Sequence, residues 1–145
     1  MSGLEKPALE FITLEDIRGT HERIKQYIVR TPVVTNEYFD QLVSERVGRP
    51  VKVHFKAELL QKTGSFKTRG AINAVMKEKR EREGKLQGIV TQSSGNHGAS
   101  ASYAAKHLGV KCVVVVPDFS TDSKVANMVQ NGGEVIKVAP RPEVL

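Results

Sequence analysis

The sequence has little of the features that would place it in a specialised class of protein. It has one cysteine, Cys112, and no tryptophan in 145 residues, so we expect neither a disulfide framework nor a cysteine-based metal site. The longest unbroken apolar run, Cys112 to Val116, is far shorter than the ~20 residues of a membrane span. The first twenty residues carry acids and lack the apolar centre of a signal peptide. We therefore expect a cytoplasmic protein, in a reducing compartment, with no membrane partner.

The net charge of +6 does not indicate a nucleic-acid partner. The densest charged run, residues 77–85, mixes both signs, which is typical of a solvated helix face. Aromatic residues make up only 6% of the chain, whereas surfaces that bind single-stranded nucleic acid carry stacking aromatics. With 39% hydrophobic and 26% charged residues, the chain has the composition of an ordinary globular protein.

Apolar periodicity and glycine positions predict alternating helices and strands, with a capping box from Thr13 to Asp16 at the first helix. The predicted helices are residues 12–29, 36–47, 65–83, 97–108 and 121–130, and the predicted strands are residues 51–57, 88–91, 110–116 and 134–138. The second half alternates strand and helix around a valine run, which is typical of a parallel sheet with helices on both faces. The predicted fold class is α/β with an open parallel sheet. A change in composition places a domain boundary near residue 84, between residues 1–84 and 85–145.

Two polar loops stand where a strand is predicted to lead into a helix. The first is residues 61–70, QKTGSFKTRG, and the second is residues 91–98, TQSSGNHG. In open α/β sheets, ligands bind at the carboxyl ends of strands, and helix N-termini there favour anions. The second loop lacks the glycine spacing of a P-loop or a dinucleotide fingerprint. A carboxylate or phosphate site and a structural turn with a helix cap both remain open.

Lys67 stands at the start of a predicted helix in the first loop. The positive helix end disfavours a protonated ammonium group, which helps a lysine to attack a carbonyl and form an imine. A solvated surface lysine is the alternative interpretation. Arg69, two residues further on, is expected to pair with an acid that the sequence does not identify.

Together the two loops resemble the fold-type II pyridoxal-phosphate enzymes, and within them the serine racemase and serine/threonine dehydratase branch. The resemblance rests on residues 65–71, SFKTRGA, and residues 93–98, SSGNHG, and it extends from the first predicted helix to strand 134–138. His97 after Gly-Asn favours this branch, because cysteine synthases and threonine synthases usually have threonine there.

The resemblance implies pyridoxal 5′-phosphate as the cofactor and amino acids such as serine and threonine as substrates. Lys67 would bind the cofactor as a Schiff base and move the Cα proton on one face, and Ser94 would act on the opposite face. Phe66 would lie beside the cofactor, and Asn96 would hydrogen-bond its 3′ oxygen. The substrate carboxylate would be held by Ser93, Ser94, Gly95, Asn96 and His97. The implied reactions are racemisation and β-elimination to a 2-oxo acid and ammonia.

The resemblance also concerns effectors and assembly. Complete members of this branch are expected to be homodimers, and a divalent metal and ATP bind some of them. Lys62 and Thr63 match part of an ATP site in the animal racemases. Asn36 and Glu37 stand where small hydroxyl residues are usual, and an acid there disfavours a nucleotide phosphate. We therefore do not expect ATP regulation, and this chain does not support a divalent-metal site either.

The resemblance covers only the N-terminal part of the family's chain. In complete members the glycine-rich loop that cradles the cofactor phosphate, and the metal site, lie in the later half. We therefore expect a truncated form with weak or no activity alone, in which strand 51–57 lacks neighbours. The alternatives are a non-catalytic fragment that associates with the full-length enzyme and a small anion-binding α/β module.

Overall fold

The computed structural model describes residues 11–139. The helices are α1 (Leu14–Ile24), α2 (Glu37–Val47), α3 (Lys67–Glu81), α4 (Asn96–His107) and α5 (Asp122–Gln130), and the strands are β1 (Val33–Thr35), β2 (His54–Lys56), β3 (Gly88–Gln92), β4 (Lys111–Pro117) and β5 (Glu134–Val138). Single-turn 3₁₀ helices lie at Lys25–Tyr27 and Glu58–Leu60. None of the helices described is both long and apolar enough to cross a bilayer.

The second half of the chain forms the predicted parallel sheet, with the strand order β3-β4-β5. Val113 on β4 is in register with Val90 on β3 and with Glu134 on β5. Along β4, Cys112, Val114 and Val116 are buried and alternate with residues that are only half-buried. The α/β class and the parallel sheet are confirmed.

Helix α4 is the central element of the core. Most of its residues are buried, including an almost unbroken run of small side chains from Gly98 to Ala105. It packs against α3, α5 and the sheet. A Cβ on Gly98 would lie 2.9 Å from both the Met128 and the Val114 side chains. Small residues along α4 therefore allow α5 and β4 to approach its backbone.

The two crossover helices of the sheet lie on the same side. Helices α4 and α5 contact each other, as right-handed crossovers between strands in consecutive order require. The opposite side, which we call the open sheet face, carries the apolar residues Val90, Val113, Val115, Ile136 and Val138, together with Gln92 and Glu134. Val90 is 75% exposed, and Ile136 and Val138 are also exposed. Among residues 11–139, helices therefore cover one face of this sheet more fully than the other.

The predicted strand 51–57 is shorter than expected and has a neighbour. Only His54–Lys56 forms β2, whose three residues are exposed rather than half-buried, and it pairs antiparallel with β1. The backbone N–H groups of Val51 and Val53 donate instead to Ser44 Oγ, at 2.8 Å, and to Asp40 Oδ1, at 2.7 Å. These bonds to α2 take the donors that a longer strand would need, so the predicted length is wrong. The predicted lack of neighbours is also wrong, because β2 pairs with β1.

Helix α1, Leu14–Ile24, is shorter at both ends than the predicted helix 12–29. The Thr13–Asp16 capping box is present. Beyond Ile24 the chain makes one 3₁₀ turn and becomes extended at Ile28. The Gln61 side chain accepts from Val29 N at 2.8 Å and donates to Val29 O at 2.9 Å. Because both backbone groups of Val29 are bonded to this side chain, the helix does not reach residue 29.

Candidate active site at the N-termini of α3 and α4

Lys67 is the first residue of α3 and its side chain is exposed. Its backbone N–H donates to Ser65 Oγ at 3.1 Å. The Lys67 ammonium lies 5.2 Å from the centre of the Phe66 ring, and Phe66 is itself 60% exposed. The lysine predicted from the first loop therefore presents an accessible amine beside an aromatic surface.

Three buried hydroxyl groups connect the turn that bears Lys67 to α4. Thr63 Oγ1 lies 2.6 Å from Thr68 Oγ1 and 2.9 Å from Ser100 Oγ. Thr68 donates in turn to the Ser65 carbonyl at 3.2 Å. We call Thr63, Thr68 and Ser100 the hydroxyl chain. Roles for Thr68 and Ser100 were not predicted, because nothing in the local sequence shows that the side chains of Thr63 and Ser100, 37 positions apart, meet.

The hydroxyl chain also bears on the predicted nucleotide contact. The Thr63 side chain is buried, and its hydroxyl is bonded to two other hydroxyls inside the protein. In this structure the hydroxyl is therefore engaged inside the protein, and a nucleotide contact at Thr63 stays a prediction. Lys62 is exposed, and a nucleotide contact there stays a prediction.

Glu58 is the acid that pairs with Arg69. The guanidinium donates from Nε at 2.8 Å and from an Nη at 2.7 Å to the two carboxylate oxygens. The Thr31 hydroxyl donates to the same carboxylate at 2.6 Å. The hydrogen bond from Arg69, followed by that from Thr31, lowers the pKa of Glu58 to about 2. The first turn of α3 is thus tied to residues 29–31 as well as to α4.

The second loop begins α4 as predicted, with Ser93 in a capping role. Ser93 Oγ accepts from Gly95 N at 3.2 Å and from Gly98 N at 3.0 Å. This hydroxyl satisfies amide groups that a helix start would otherwise leave unpaired. The N-cap residue is Gly95, which has no side chain, so the Ser93 hydroxyl takes over the capping role.

The other residues of the second loop are turned outwards. Ser94, Asn96 and His97 are exposed, and His97 Nε2 lies 2.9 Å from Thr91 Oγ1. In the part of the chain that is described, the side chains of Ser94 and Asn96 have no hydrogen-bond partner, and neither do the backbone N–H groups of Asn96 and His97. Free amide groups at the positive end of a helix are suited to an anion.

The two helix N-termini form one candidate site. Thr68 follows Lys67 directly, and Ser100 lies four residues, about one helical turn, after Asn96, so the Thr63–Ser100 bond holds the two starting turns together. This arrangement suits a ligand that offers a carbonyl carbon to the amine and an anionic group to the amides. No group of three or more His, Cys, Asp or Glu side chains within residues 11–139 could hold a metal ion.

Comparison with known proteins agrees with this chemistry. The family model described as pyridoxal-phosphate dependent enzyme matches residues 24–144. A serine racemase of Dictyostelium discoideum is 45% identical over 126 residues, which cover 87% of this chain and 36% of that protein. A beta-hydroxyaspartate dehydratase of Paracoccus denitrificans is 38% identical over 128 residues, with 88% and 38% covered.

A solved structure shows the same fold. The crystal structure of a pyridoxal 5′-phosphate-dependent aspartate racemase superimposes with a TM-score of 0.80 at 48% identity, over 88% of this chain and 38% of its own. The chain thus spans between a third and two fifths of the length of these relatives. Because the matched residues include both loops and the helices that begin at Lys67 and Asn96, the chain belongs to the family of pyridoxal-phosphate-dependent enzymes.

Proposed function

We propose that this chain supplies the lysine-bearing part of a pyridoxal-phosphate-dependent enzyme that racemises serine or eliminates ammonia from serine or threonine. The observation that carries the proposal is the placement of the accessible Lys67 amine at one helix start, tied through buried hydroxyls to the free amides of another. Relatives named serine racemase and beta-hydroxyaspartate dehydratase support the choice of substrate class.

The residues present fit this cofactor. An accessible primary amine can condense with the cofactor aldehyde, and the positive end of α4 suits a carboxylate or phosphate. The exposed Phe66 ring offers a flat surface to an aromatic ring. When bound, pyridoxal phosphate supplies an electron sink that makes the substrate Cα–H bond more acidic.

The protein's own groups then decide where the proton goes. Lys67 Nζ would take the Cα proton on one face of the substrate, and the Ser94 hydroxyl, which no protein group engages among the described residues, would exchange a proton on the other face. Asn96 and the backbone amides of Asn96 and His97 would orient the cofactor oxygen and the substrate carboxylate. Ser93 would act through the shape of the loop, since its hydroxyl already accepts two amide hydrogens.

A chimera tests the proposal. The 126 matched residues of the Dictyostelium serine racemase would be replaced by the corresponding stretch of this chain, and D-serine and pyruvate would be measured with L-serine as substrate. We expect both products from the chimera, neither from its Lys67→Ala variant, and weak or no activity from the 145-residue chain alone.

In the same chimera, Ser94→Ala should lower racemisation by about 100-fold or more, the scale of a lost acid–base group, and elimination much less. Turnover by Lys67→Ala, or equal loss of both reactions in Ser94→Ala, would contradict the assignment.

A second candidate function is favoured by the exposed apolar surface. The open sheet face and the exposed Val33, Val34 and Phe55 on the β1–β2 pair suit a non-catalytic chain that associates with a longer relative. Size-exclusion chromatography of this chain mixed with the Dictyostelium enzyme tests it. Co-elution in a stoichiometric complex would support association, and two separate peaks at micromolar concentration would exclude it. That the complete protein is a homodimer stays a prediction.

A further inference from the structure

We propose that Thr63, Thr68 and Ser100 are positioning residues for Lys67, and that their hydroxyl chain sets the position of the lysine amine relative to the free amides of α4. The inference rests on the proposed function, because it concerns how the two halves of that site are held in register. None of the three side chains would touch the substrate or the cofactor.

The hydrogen bonds of the hydroxyl chain run in one direction. The single hydroxyl proton of Thr68 is used toward the Ser65 carbonyl, at 3.2 Å, so Thr68 must accept from Thr63 at 2.6 Å. The Thr63 proton is then used in turn, so Thr63 accepts from Ser100 at 2.9 Å. Each hydroxyl donates once, and the chain runs from α4 to the Ser65 carbonyl.

Burial makes this chain sensitive to the loss of any member. Thr68 and Ser100 are 0% exposed and Thr63 is 6% exposed, so water does not readily replace a missing hydroxyl. A partner left without its hydrogen bond would carry an unpaired buried polar group. In a satisfied buried network each member restrains the others, so the loss of one hydroxyl should loosen both ends.

The two ends of the chain are at the two halves of the site. At one end, Ser65 is held by its carbonyl while its hydroxyl accepts from the Lys67 backbone N–H. At the other, Ser100 lies one turn into α4 from Asn96. Side-chain hydrogen bonds between residues 61–66 and α4 are confined, in the region described, to Thr63 and Ser100. The bonds of Glu58 and Gln61 tie the same loop to residues 29–31 and not to α4.

The test uses reductive trapping on the 145-residue chain with two aldehydes. Glyoxylate carries a carboxylate and acetaldehyde does not. The lysine amine attacks the aldehyde carbon with loss of water, and cyanoborohydride supplies a hydride, with a solvent proton, to give a stable secondary amine. Peptide mapping then gives the glyoxylate-to-acetaldehyde labelling ratio at Lys67, and the ratio at the exposed Lys62 serves as the internal reference.

The variants distinguish a change in the position of the Lys67 amine from a loss of folded structure. Thr63→Val and Thr68→Val keep the shape and lose the hydroxyl, Thr63→Ser and Thr68→Ser keep the hydroxyl, and Ser100→Ala removes the third member. Circular dichroism of each variant before labelling shows whether it is folded. Acetaldehyde labelling of Lys67 shows whether the amine is still accessible, so a variant that has merely unfolded is recognised by a change with both aldehydes.

We expect Lys67 to prefer glyoxylate relative to Lys62 in the wild-type chain. The two valine variants and Ser100→Ala should lose this preference by about three- to ten-fold, the scale of one lost contact between an anion and a helix end. The serine variants should retain it. A preference unchanged in the valine variants, lost equally in the serine variants, or absent from the wild-type chain would overturn the inference.

The result is distinguishable from a failure of the proposed function, because the probe contains no pyridoxal phosphate. If the variants lose the glyoxylate preference while the cofactor never labels Lys67, the positioning role stands and the proposed function fails. If the cofactor labels Lys67 and the valine variants keep the preference, the proposed function stands and the positioning role fails.

Discussion

Glu58 and Arg69 are a half-buried ion pair at the base of the turn that bears Lys67. The carboxylate accepts two hydrogen bonds from the guanidinium and one from the Thr31 hydroxyl. Arg69 is two residues from Lys67, so this pair ties the first turn of α3 to the turn that bears Glu58. An acid beside this arginine was expected from the sequence. Its identity depends on the turn at 58–60, which places Glu58 within reach.

The ion pair predicts a pH dependence of stability. The pKa of Glu58 falls from 4.5 to about 2 on folding, so its stabilising contribution is fully present above about pH 4.5 and is lost as the pH falls toward 2. Glu58→Gln should lower the free energy of unfolding at pH 7 by about 2 kcal/mol. Urea titrations at pH 7 and pH 3 measure this, and the difference between wild type and variant should be smaller at pH 3. A difference that does not depend on pH would contradict the role of the charge.

At the scale of elements, α4 is specified by two kinds of residue. Small residues set its distance from α5 and β4, and Ser93 caps its N-terminus. Both are visible in the sequence as a pattern, which is why this helix was predicted to within a residue at each end. The three-residue β1 was not predicted, because Val33–Thr35 is too short for a periodicity and all its residues are exposed.

Two glycines in helices should respond oppositely to alanine. In Gly98→Ala the new methyl group would lie 2.9 Å from Val114 and Met128 side-chain atoms, so we expect a loss of about 1–3 kcal/mol by overpacking. In Gly70→Ala, the matched control in α3, nothing lies within 4 Å of the new methyl group, and a gain of about 0.5–1 kcal/mol is expected from the stiffer unfolded chain. Chemical denaturation measures both. Equal changes in the free energy of unfolding would show that close packing around Gly98 does not determine the stability of the chain.

The adjacent serines of the second loop should also differ. Ser93→Ala removes the cap of α4 and should destabilise the chain by about 1 kcal/mol. Ser94→Ala removes an exposed hydroxyl with no hydrogen-bond partner among residues 11–139 and should leave stability within about 0.5 kcal/mol of wild type. Thermal unfolding of the two variants side by side gives the comparison. If Ser94→Ala were the less stable of the two, the capping assignment would be wrong.

For the molecule as a whole, the most unusual feature is the open sheet face, because its apolar side chains are exposed. Five apolar residues from three strands share it, and Val90 is 75% exposed. A contiguous apolar surface of this kind marks a site for another element or partner. The unbroken valine run of β4 predicted a sheet covered by helices on both faces. It could not show that consecutive right-handed crossovers would place α4 and α5 on the same side.

The open face predicts association through this surface. Val90→Lys should reduce binding of an apolar fluorescent dye and shift the chain toward a smaller species in analytical ultracentrifugation, since a charge on the strand opposes contact. Ala126→Lys, an exposed position on α5, adds the same charge on the other side of the sheet and is the matched control. Identical behaviour of the two variants would show that the open face is not the surface of association.

The reactive groups of the candidate site were predictable from the sequence, whereas the contacts that hold them in place were not. Lys67, Ser94, Asn96 and His97 stand in two compact motifs whose loop and helix positions the structure bears out. The roles assigned to them in catalysis stay predictions. The hydroxyl chain and the Glu58–Arg69 pair were not predictable as contacts, because their members lie on separate segments that only folding brings together. Thr63 shows the difference, since its motif suggested a nucleotide contact, whereas its bonds to Thr68 and Ser100 become visible only in the folded chain.

Lys67 is the residue on which the proposed function depends, as the lysine that would bind the cofactor. The direct measurement adds pyridoxal phosphate in increasing amounts to the 145-residue chain, reduces with borohydride and maps the labelled peptides. We predict that Lys67 is labelled first, ahead of the exposed Lys62, and that Lys67→Arg loses this early label without a change at Lys62. Label spread over the exposed lysines, with Lys67 no earlier than Lys62, would contradict the account.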